Sequence, residues 1–324
     1  MTSEGPPAIF GDLAASGEMS SELEVLAREV LFEALGRAAR VAAVQPLQVG
    51  AQQVVLRVVL ESTPTQLVLK VVAGSAAPAI DVLRTAAVMA MADAAGAPVP
   101  MVLGAGASTV DSSWHYLLTE YVPGAPWRQV CPTLDVEEVA AVHRALAEAV
   151  LAVQSVRFPA FGELSSGGSP AGDHLIAALR RRAELRVVDE PRRAVFLALL
   201  NRESGLFTGA AFPTLCHDDL HHGNVLLRPV DSGWRLAALL DWDKAWAGPA
   251  ESDIARMALW DDMTGPGFWQ TYPNTSPDAD GADRRALIYQ LLWCLEYDED
   301  SPRHRADTAA LCARLEVDPL PEGM

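Results

Sequence analysis

Lysine is nearly missing from this chain. Only Lys70 and Lys244 are lysines among 25 basic residues, and those 25 face 42 acidic ones, a net charge of −17. A surplus of that sign repels phosphate backbones and anionic lipid, so neither nucleic acid nor a membrane surface is expected as a partner. Cysteine is scarce too: Cys131, Cys216, Cys294 and Cys312 form no CxxC pair and are too few for a disulfide framework, which suits a reduced, cytoplasmic chain. The nearest approach to a membrane-spanning run, Ala86 to Ala107, is broken by Asp93, Pro98 and Pro100. The first twenty residues carry Glu4, Asp12 and Glu18 with neither a basic cluster nor an apolar segment, so no secretory signal is expected. What is present is 324 residues, half of them apolar, enough to bury a substantial core in one large domain or two medium ones.

The order of patterns suggests two parts. Ser21-Glu22-Leu23-Glu24 has the form of a capping box, and Leu23, Leu26, Val30 and Leu31 then recur at helical spacing to about Arg40. Two β-branched runs, Gln52 to Leu60 and Gln66 to Val72, flank a turn-like segment and predict an antiparallel hairpin with Lys70 on its second strand. A helix over Asp81 to Ala95 stops at Gly96, and short strands follow at Val102-Leu103 and Tyr116 to Val122. Beyond Pro123-Gly124 helical windows dominate, at Val136 to Val156, His174 to Val188, Arg192 to Arg202, Ser252 to Asp261 and Asp283 to Tyr297. Short strands at Phe212 to Cys216, Asn224 to Leu227 and Trp234 to Leu240 interrupt them, and a polar tail is expected at the end. The reading is an α+β chain with a small β-rich part over residues 1–121, a connection at 120–124 and a larger, mostly helical part over 122–324.

Chemistry concentrates in one loop. Leu215-Cys216-His217-Asp218-Asp219-Leu220-His221-His222-Gly223-Asn224-Val225-Leu226-Leu227 sets two carboxylates, three imidazoles and an amide between two apolar strands, where polar side chains need a reason to converge. Seventeen residues after Asn224, the apolar run Leu236 to Leu240 delivers Asp241-Trp242-Asp243. In a chain that uses arginine almost everywhere, a lysine on a strand also suggests a site that needs a slim point charge.

His217-x-Asp219-Leu220-His221-x-x-Asn224, followed by a strand into Asp241-Trp242-Asp243, resembles the catalytic segment of the aminoglycoside phosphotransferase and choline kinase superfamily. Upstream, Leu67-Val68-Leu69-Lys70 resembles that family's phosphate-binding lysine strand, and Leu117 to Gly124 its hinge. The agreement in order and spacing runs from about Pro46 to Asp261. It implies a bilobal protein-kinase-like fold and phosphoryl transfer from ATP or GTP to a hydroxyl, with Mg2+ as the metal. Asp219 would accept the acceptor's proton, Asn224 and Asp241 would hold magnesium, and Lys70 would meet the α- and β-phosphates. Backbone groups of Glu120 and Val122 would meet the base, with the nucleotide loop at Val49-Gly50-Ala51-Gln52, where Gly50 allows close approach.

The chain also departs from that pattern. Thr85 stands where the family has the glutamate that pairs with the lysine, and Asp81, about one turn earlier, is the nearest substitute. Asp218 replaces a residue that is often glycine. The Gly-Asp-Pro-x-x-Asp turn becomes Gly248-Pro249-Ala250-Glu251-Ser252-Asp253, which loses its first aspartate and keeps its last.

Other readings carry less. His217 and His221 have zincin spacing, but Gly223-Asn224 ends any helix there and no glutamate follows the first histidine; the resemblance instead implies His217 as a buried strut beneath the loop and His221 as a loop organiser. His222, Asp218 and Lys244 are expected at the surface. Gly104-Ala105-Gly106 lacks the third glycine of a dinucleotide turn, and no Walker-type Gly-Lys-Ser/Thr exists. The expected partner is a small hydroxylated molecule. Asp261, Asp262, Glu296, Asp298, Glu299 and Asp300 would suit a cationic antibiotic if they lined its cleft. A metabolic kinase for choline, an amino alcohol or a sugar is the alternative within the fold, and a nucleotide-binding pseudokinase scaffold the alternative outside catalysis. Oligomeric state leaves no mark on the sequence.

Overall fold

The computed structural model describes residues 19–36, 40–49, 53–61, 66–73, 80–107, 114–209, 212–231, 233–273, 279–297 and 301–317. The chain divides into two compact units, one drawn from residues 1–93 and 99–123 and the other from 94–98 and 124–324. Among the described residues no helix is long and apolar enough to cross a membrane.

The first unit holds helix α1 (Met19–Leu35), strands β1 (Val41–Val49), β2 (Gln53–Leu60) and β3 (Gln66–Ala73), helix α2 (Val82–Ala94), and strands β4 (Val102–Ala107) and β5 (Trp114–Glu120). The strands form one antiparallel sheet in the order β1-β2-β3-β5-β4. Strict alternation in β2 and β3 decides its faces. Val54, Leu56 and Val58 join Leu67, Leu69 and Val71 in a buried cluster with Ala27, Val30 and Leu31 of α1. Each valine and leucine among them contributes roughly 1.5–3 kcal/mol on burial. The same alternation puts Lys70 on the opposite face of β3, where Val55 and Leu117 are its register partners. Strand β1 gives no such pattern: most of its residues are exposed, and Pro46 sits in it as an edge strand allows. Asp81 begins α2, its Oδ1 accepting the N–H groups of Leu83 and Arg84, each at 3.0 Å.

The second unit is mainly helical. Strand β6 (Ala125–Pro126), helices α3 (Trp127–Val130) and α4 (Val136–Ser155), strand β7 (Gly162–Glu163) and helices α5 (Leu175–Arg186) and α6 (Glu190–Arg202) lead to strand β8 (Pro213–Cys216). Strands β9 (Val225–Val230), β10 (Gly233–Leu239) and β11 (Trp246–Pro249) follow, then helices α7 (Ala250–Met257), α8 (Pro266–Thr271), α9 (Ala279–Glu296) and α10 (Pro302–Arg314). Two small sheets, β10-β9-β6 and β7-β11-β8, frame the polar loop between β8 and β9. The core gathers Leu179 and Ala183 of α5, Phe196 and Leu200 of α6, and Ile288 and Leu291 of α9. Gly124 admits the chain beside β9, since a Cβ there would collide with the Leu227 carbonyl oxygen.

One expectation needs correction. The expected polar tail is helix α10, which Ser301 caps by accepting the His304 N–H at 3.2 Å. Its arginine-rich surface hides a buried stripe of only Leu311 and Cys312. Strand β11 has no sequence signal, because Trp246-Ala247-Gly248-Pro249 is fully buried and too short for a period.

Candidate active site

The loop from His217 to Asn224 is held from beneath. His217 is wholly buried, its Nε2 is 3.1 Å from the Leu240 carbonyl oxygen and its Nδ1 accepts the Asp219 N–H at 3.3 Å. These two bonds fix the neutral tautomer with the proton on Nε2. The ring lies against Trp242, with centroids 4.4 Å apart, and burial pushes its pKa down to about 4. It is the expected strut, and both nitrogens are already engaged. His221 organises the loop through Nδ1, which accepts the Gly223 N–H at 3.0 Å.

The loop's backbone is pinned by the turn's surviving aspartate. Asp253, fully buried on α7, accepts the Asp218 N–H on Oδ1 at 2.7 Å and the His217 N–H on Oδ2 at 3.3 Å. Burial pushes its carboxyl up to about 7. Asp218 has φ 59°, a left-handed conformation that explains why glycine suits this position and why aspartate is tolerated there.

Asp218 is not the exposed charge expected of it. Its Oδ2 is 2.6 Å from Arg182 Nη2, and the same buried guanidinium reaches Glu163 at 2.5 Å and Glu296 at 3.0 Å. A lone charge at this depth is unstable, so three carboxylates gather on one arginine, while Arg186 adds a second cation 2.9 Å from Glu163. Glu296, expected to face a cationic acceptor, is therefore engaged inside the protein. Lys244 is half-buried: its Nζ is 3.8 Å from Glu296 Oε2 and 5.3 Å from the Trp293 ring centroid. His222 is half-buried, its Nε2 bonded to the Asp261 carbonyl oxygen.

Asp219 stands at the centre. Its Oδ1 accepts Arg256 Nη2 at 2.9 Å and Trp293 Nε1 at 3.4 Å, and its Oδ2 accepts Asn224 Nδ2 at 3.3 Å. Burial alone would raise this carboxyl's pKa; Lys244, Arg256 and His221 outweigh it and hold the pKa below the ordinary carboxylate value. Asn224 Nδ2 also donates to the Asp219 carbonyl at 2.9 Å, which turns the amide so that Oδ1 is left for another partner. The β9–β10 pairing, Val225 opposite Leu239, extends one step further, with Leu240 N–H donating to the Asn224 carbonyl at 2.8 Å. Asp241 follows immediately, at φ 61° and exposed. The structure thus brings Asp219, Asn224 and the strand end carrying Asp241 together.

Among the described residues no group of three or more His, Cys, Asp or Glu could hold a metal alone. An amide oxygen and a carboxylate fit a hard cation whose remaining ligands are phosphate and water, which is how magnesium is commonly bound. They do not fit zinc, which prefers nitrogen and sulfur donors.

The other expected site residues lie in the first unit. Lys70 is on β3, and Glu120 ends the adjacent β5, its N–H bonded to the Met101 carbonyl at 3.0 Å. The Tyr121 N–H donates to Gln66 at 3.0 Å, and Val122 follows beyond the sheet. Thr85 is buried on α2, its hydroxyl donating to the Asp81 carbonyl at 3.0 Å. Gly50, Asp298, Glu299 and Asp300 lie outside the described residues.

Arg256 is a site residue that sequence reasoning missed. Arg256 falls three residues after Asp253, which puts both on one face of α7, and that spacing was the available signal.

A model of the phosphotransferase enzyme family (APH) matches residues 43–287. Among solved structures, the chain is similar to the aminoglycoside phosphotransferase APH(4)-Ia, with 20% identity and a TM-score of 0.62, covering 90% of this chain and 96% of that one. It is similar to APH(2'')-IIa in ternary complex with streptomycin and ATP, at 16% identity and TM-score 0.57, covering 88% and 95%. It also resembles a putative fructosamine-3-kinase from Thermobifida fusca YX-ER1, at 22% identity and TM-score 0.55, covering 86% and 95%. The shared fold is protein-kinase-like. Comparison with curated proteins gives no match.

Proposed function

Because this chain belongs to the phosphotransferase enzyme family, and so acts on a hydroxyl of a small molecule, we propose that it moves the γ-phosphoryl group of ATP or GTP to a hydroxylated antibiotic, inactivating it. The observation that carries this reading is the hydrogen bond from Leu240 N–H to the Asn224 carbonyl, 2.8 Å long, which sets Asp241 beside Asn224 while Asn224 holds Asp219. Two oxygen donors and a proton acceptor are what phosphoryl transfer asks of a protein, since the step needs alignment and charge neutralisation more than covalent help.

In this mechanism the acceptor oxygen forms a bond to the γ-phosphorus as the bond to the β,γ-bridging oxygen breaks, and nucleoside diphosphate leaves. Asp219 takes the hydroxyl proton. Oδ1 already accepts two hydrogen bonds, from Arg256 and Trp293, whereas Oδ2 accepts one, from Asn224, so Oδ2 keeps the capacity to receive the proton. A carboxylate held below its ordinary pKa is a weak base, so the proton moves late, once bonding to phosphorus has acidified the hydroxyl. Asn224 Oδ1 and Asp241 would hold magnesium, which when bound supplies positive charge to the phosphate oxygens. Lys70 contributes a point charge to the α- and β-phosphates, Gly50 lets the nucleotide loop approach them, and the backbone of Glu120 and Val122 meets the base.

With Glu296 engaged by Arg182, the carboxylates of the expected set that remain among the described residues are Asp262 and Asp261, the latter 3.6 Å from Arg303. The proposal therefore covers neutral as well as cationic antibiotics. The likeness to a putative fructosamine-3-kinase supports a second reading, a sugar-bearing metabolite as acceptor. Purified protein with magnesium and ATP or GTP, offered a panel of hydroxylated antibiotics, sugars and amino alcohols, should add the mass of one phosphoryl group to a member of the first class. Phosphorylation confined to the sugars would favour the second reading, and nucleotide binding with no transfer at all would favour the scaffold. Raised antibiotic tolerance in a host expressing the gene would establish resistance.

A further inference from the structure

Two buried arginines flank the loop, and they are built differently. Arg182 has its guanidinium filled: three carboxylates, Glu163, Asp218 and Glu296, and the Lys244 carbonyl accept from it. Arg256, 2% exposed, makes one hydrogen bond, from Nη2 to Asp219 Oδ1 at 2.9 Å, while Nε and Nη1 have no hydrogen-bond partner. What accompanies that bond is the face of Trp293, 3.5 Å from the guanidinium carbon to the ring centroid, with Trp260 at 5.4 Å. An arginine kept only for stability would have its donors satisfied, because unpaired buried donors are costly. Arg256 instead directs its one bond at the carboxylate that takes the proton.

The setting makes that aim rigid. Trp293 stacks on Tyr297 with centroids 5.2 Å apart, and its own Nε1 is 3.4 Å from the same Asp219 oxygen. Arg256 shares a helix face with Asp253, which fixes the loop's backbone. One helix thus holds the loop's main chain at His217 and Asp218, through Asp253, and the Asp219 side chain, through Arg256.

We propose that Arg256, clamped between the Trp293 ring and Asp219 Oδ1, is a positioning residue for phosphoryl transfer that turns the Asp219 carboxylate so that Oδ2 faces the attacking hydroxyl. This rests on the reading of Asp219 as proton acceptor. Loss of the contact leaves nucleotide binding intact and lowers the rate of the chemical step, because misplacement of a reacting group by about 1 Å costs on the order of 10²-fold.

The test uses the full chain with magnesium-ATP and water as acceptor, read as phosphate release. Arg256→Ala should lower kcat by about 10²-fold with the KM for ATP unchanged, and added methylguanidinium should restore part of kcat. A variant that is folded by circular dichroism and keeps the wild-type kcat overturns the proposal. So does a loss that methylguanidinium does not restore and that raises KM as well. Should Arg256→Ala fail to fold, Arg256→Lys decides: it keeps the charge but not the planar fork, so a lowered kcat at constant KM supports the proposal and a wild-type rate refutes it. Asp219→Asn separates the two layers. If it leaves phosphate release unchanged, the reading of Asp219 fails; if it abolishes release while the Arg256 variants do not, only the positioning role fails.

Discussion

Asp253 Oδ1 accepts the backbone N–H of Asp218 at 2.7 Å, although the two residues are 35 apart in sequence and Asp218 holds a left-handed φ. Helix α7 therefore dictates the conformation of the loop that presents Asp219. Asp253→Ala would leave the N–H groups of Asp218 and His217 without their buried acceptor, at about 1–3 kcal/mol each. Urea denaturation should show that loss, and phosphate transfer should fall with it. Asp253→Asn keeps a side-chain oxygen and removes a charge that burial disfavours, so it should lose distinctly less stability than Asp253→Ala. Equal losses would mean that Asp253 matters for its volume and not for these bonds.

For Asp219→Ala, nucleotide should still bind in calorimetry, since the residue is assigned to the acceptor and not to the phosphates. Turnover should drop by roughly 10²–10⁴-fold. An unchanged rate would remove Asp219 from the mechanism.

Asp241 sits at a strand end that the bond between Leu240 and Asn224 fixes, so its replacement should disturb the proposed cation site and not the sheet. Calorimetry of Asp241→Ala with and without magnesium should show nucleotide affinity lost in the magnesium arm alone. Equal loss in both arms would point to unfolding instead.

The loop's chemistry was legible because its residues are contiguous: His217 to Asn224 lie between two apolar strands, and Asp241 ends the next strand. What closes around that loop was not. Arg256 and Trp293 approach Asp219 from 37 and 74 residues away, and an arginine on a mixed helix reads as a solvated charge until its neighbours are placed. For the same reason Asp218 and Lys244 looked like surface residues. Their burial depends on Arg182 and Glu296, whose pairing spans 114 residues and leaves no local pattern. Periodicity recovered β2 and β3, where alternation follows a half-buried sheet, and failed at β1 and α10, where one face buries too little to set a period.

His217 links the loop to acid stability. Its folded pKa is about 4, against 6.5 for an ordinary histidine, because burial disfavours the imidazolium. A second proton would also have to enter at Nδ1, where the Asp219 N–H is bonded. With the folded value depressed, the neutral ring's contribution is complete above pH 6.5 and is lost as pH falls toward 4, when the unfolded chain binds the proton first. The shift corresponds to a contribution of about 3 kcal/mol. Urea denaturation of wild type and His217→Gln at pH 7 and pH 4.5 isolates it from the similarly depressed His221, which titrates in both proteins. The wild type should lose about 2–3 kcal/mol more than the variant between the two conditions, and parallel losses would show that His217 carries no proton-linked stability.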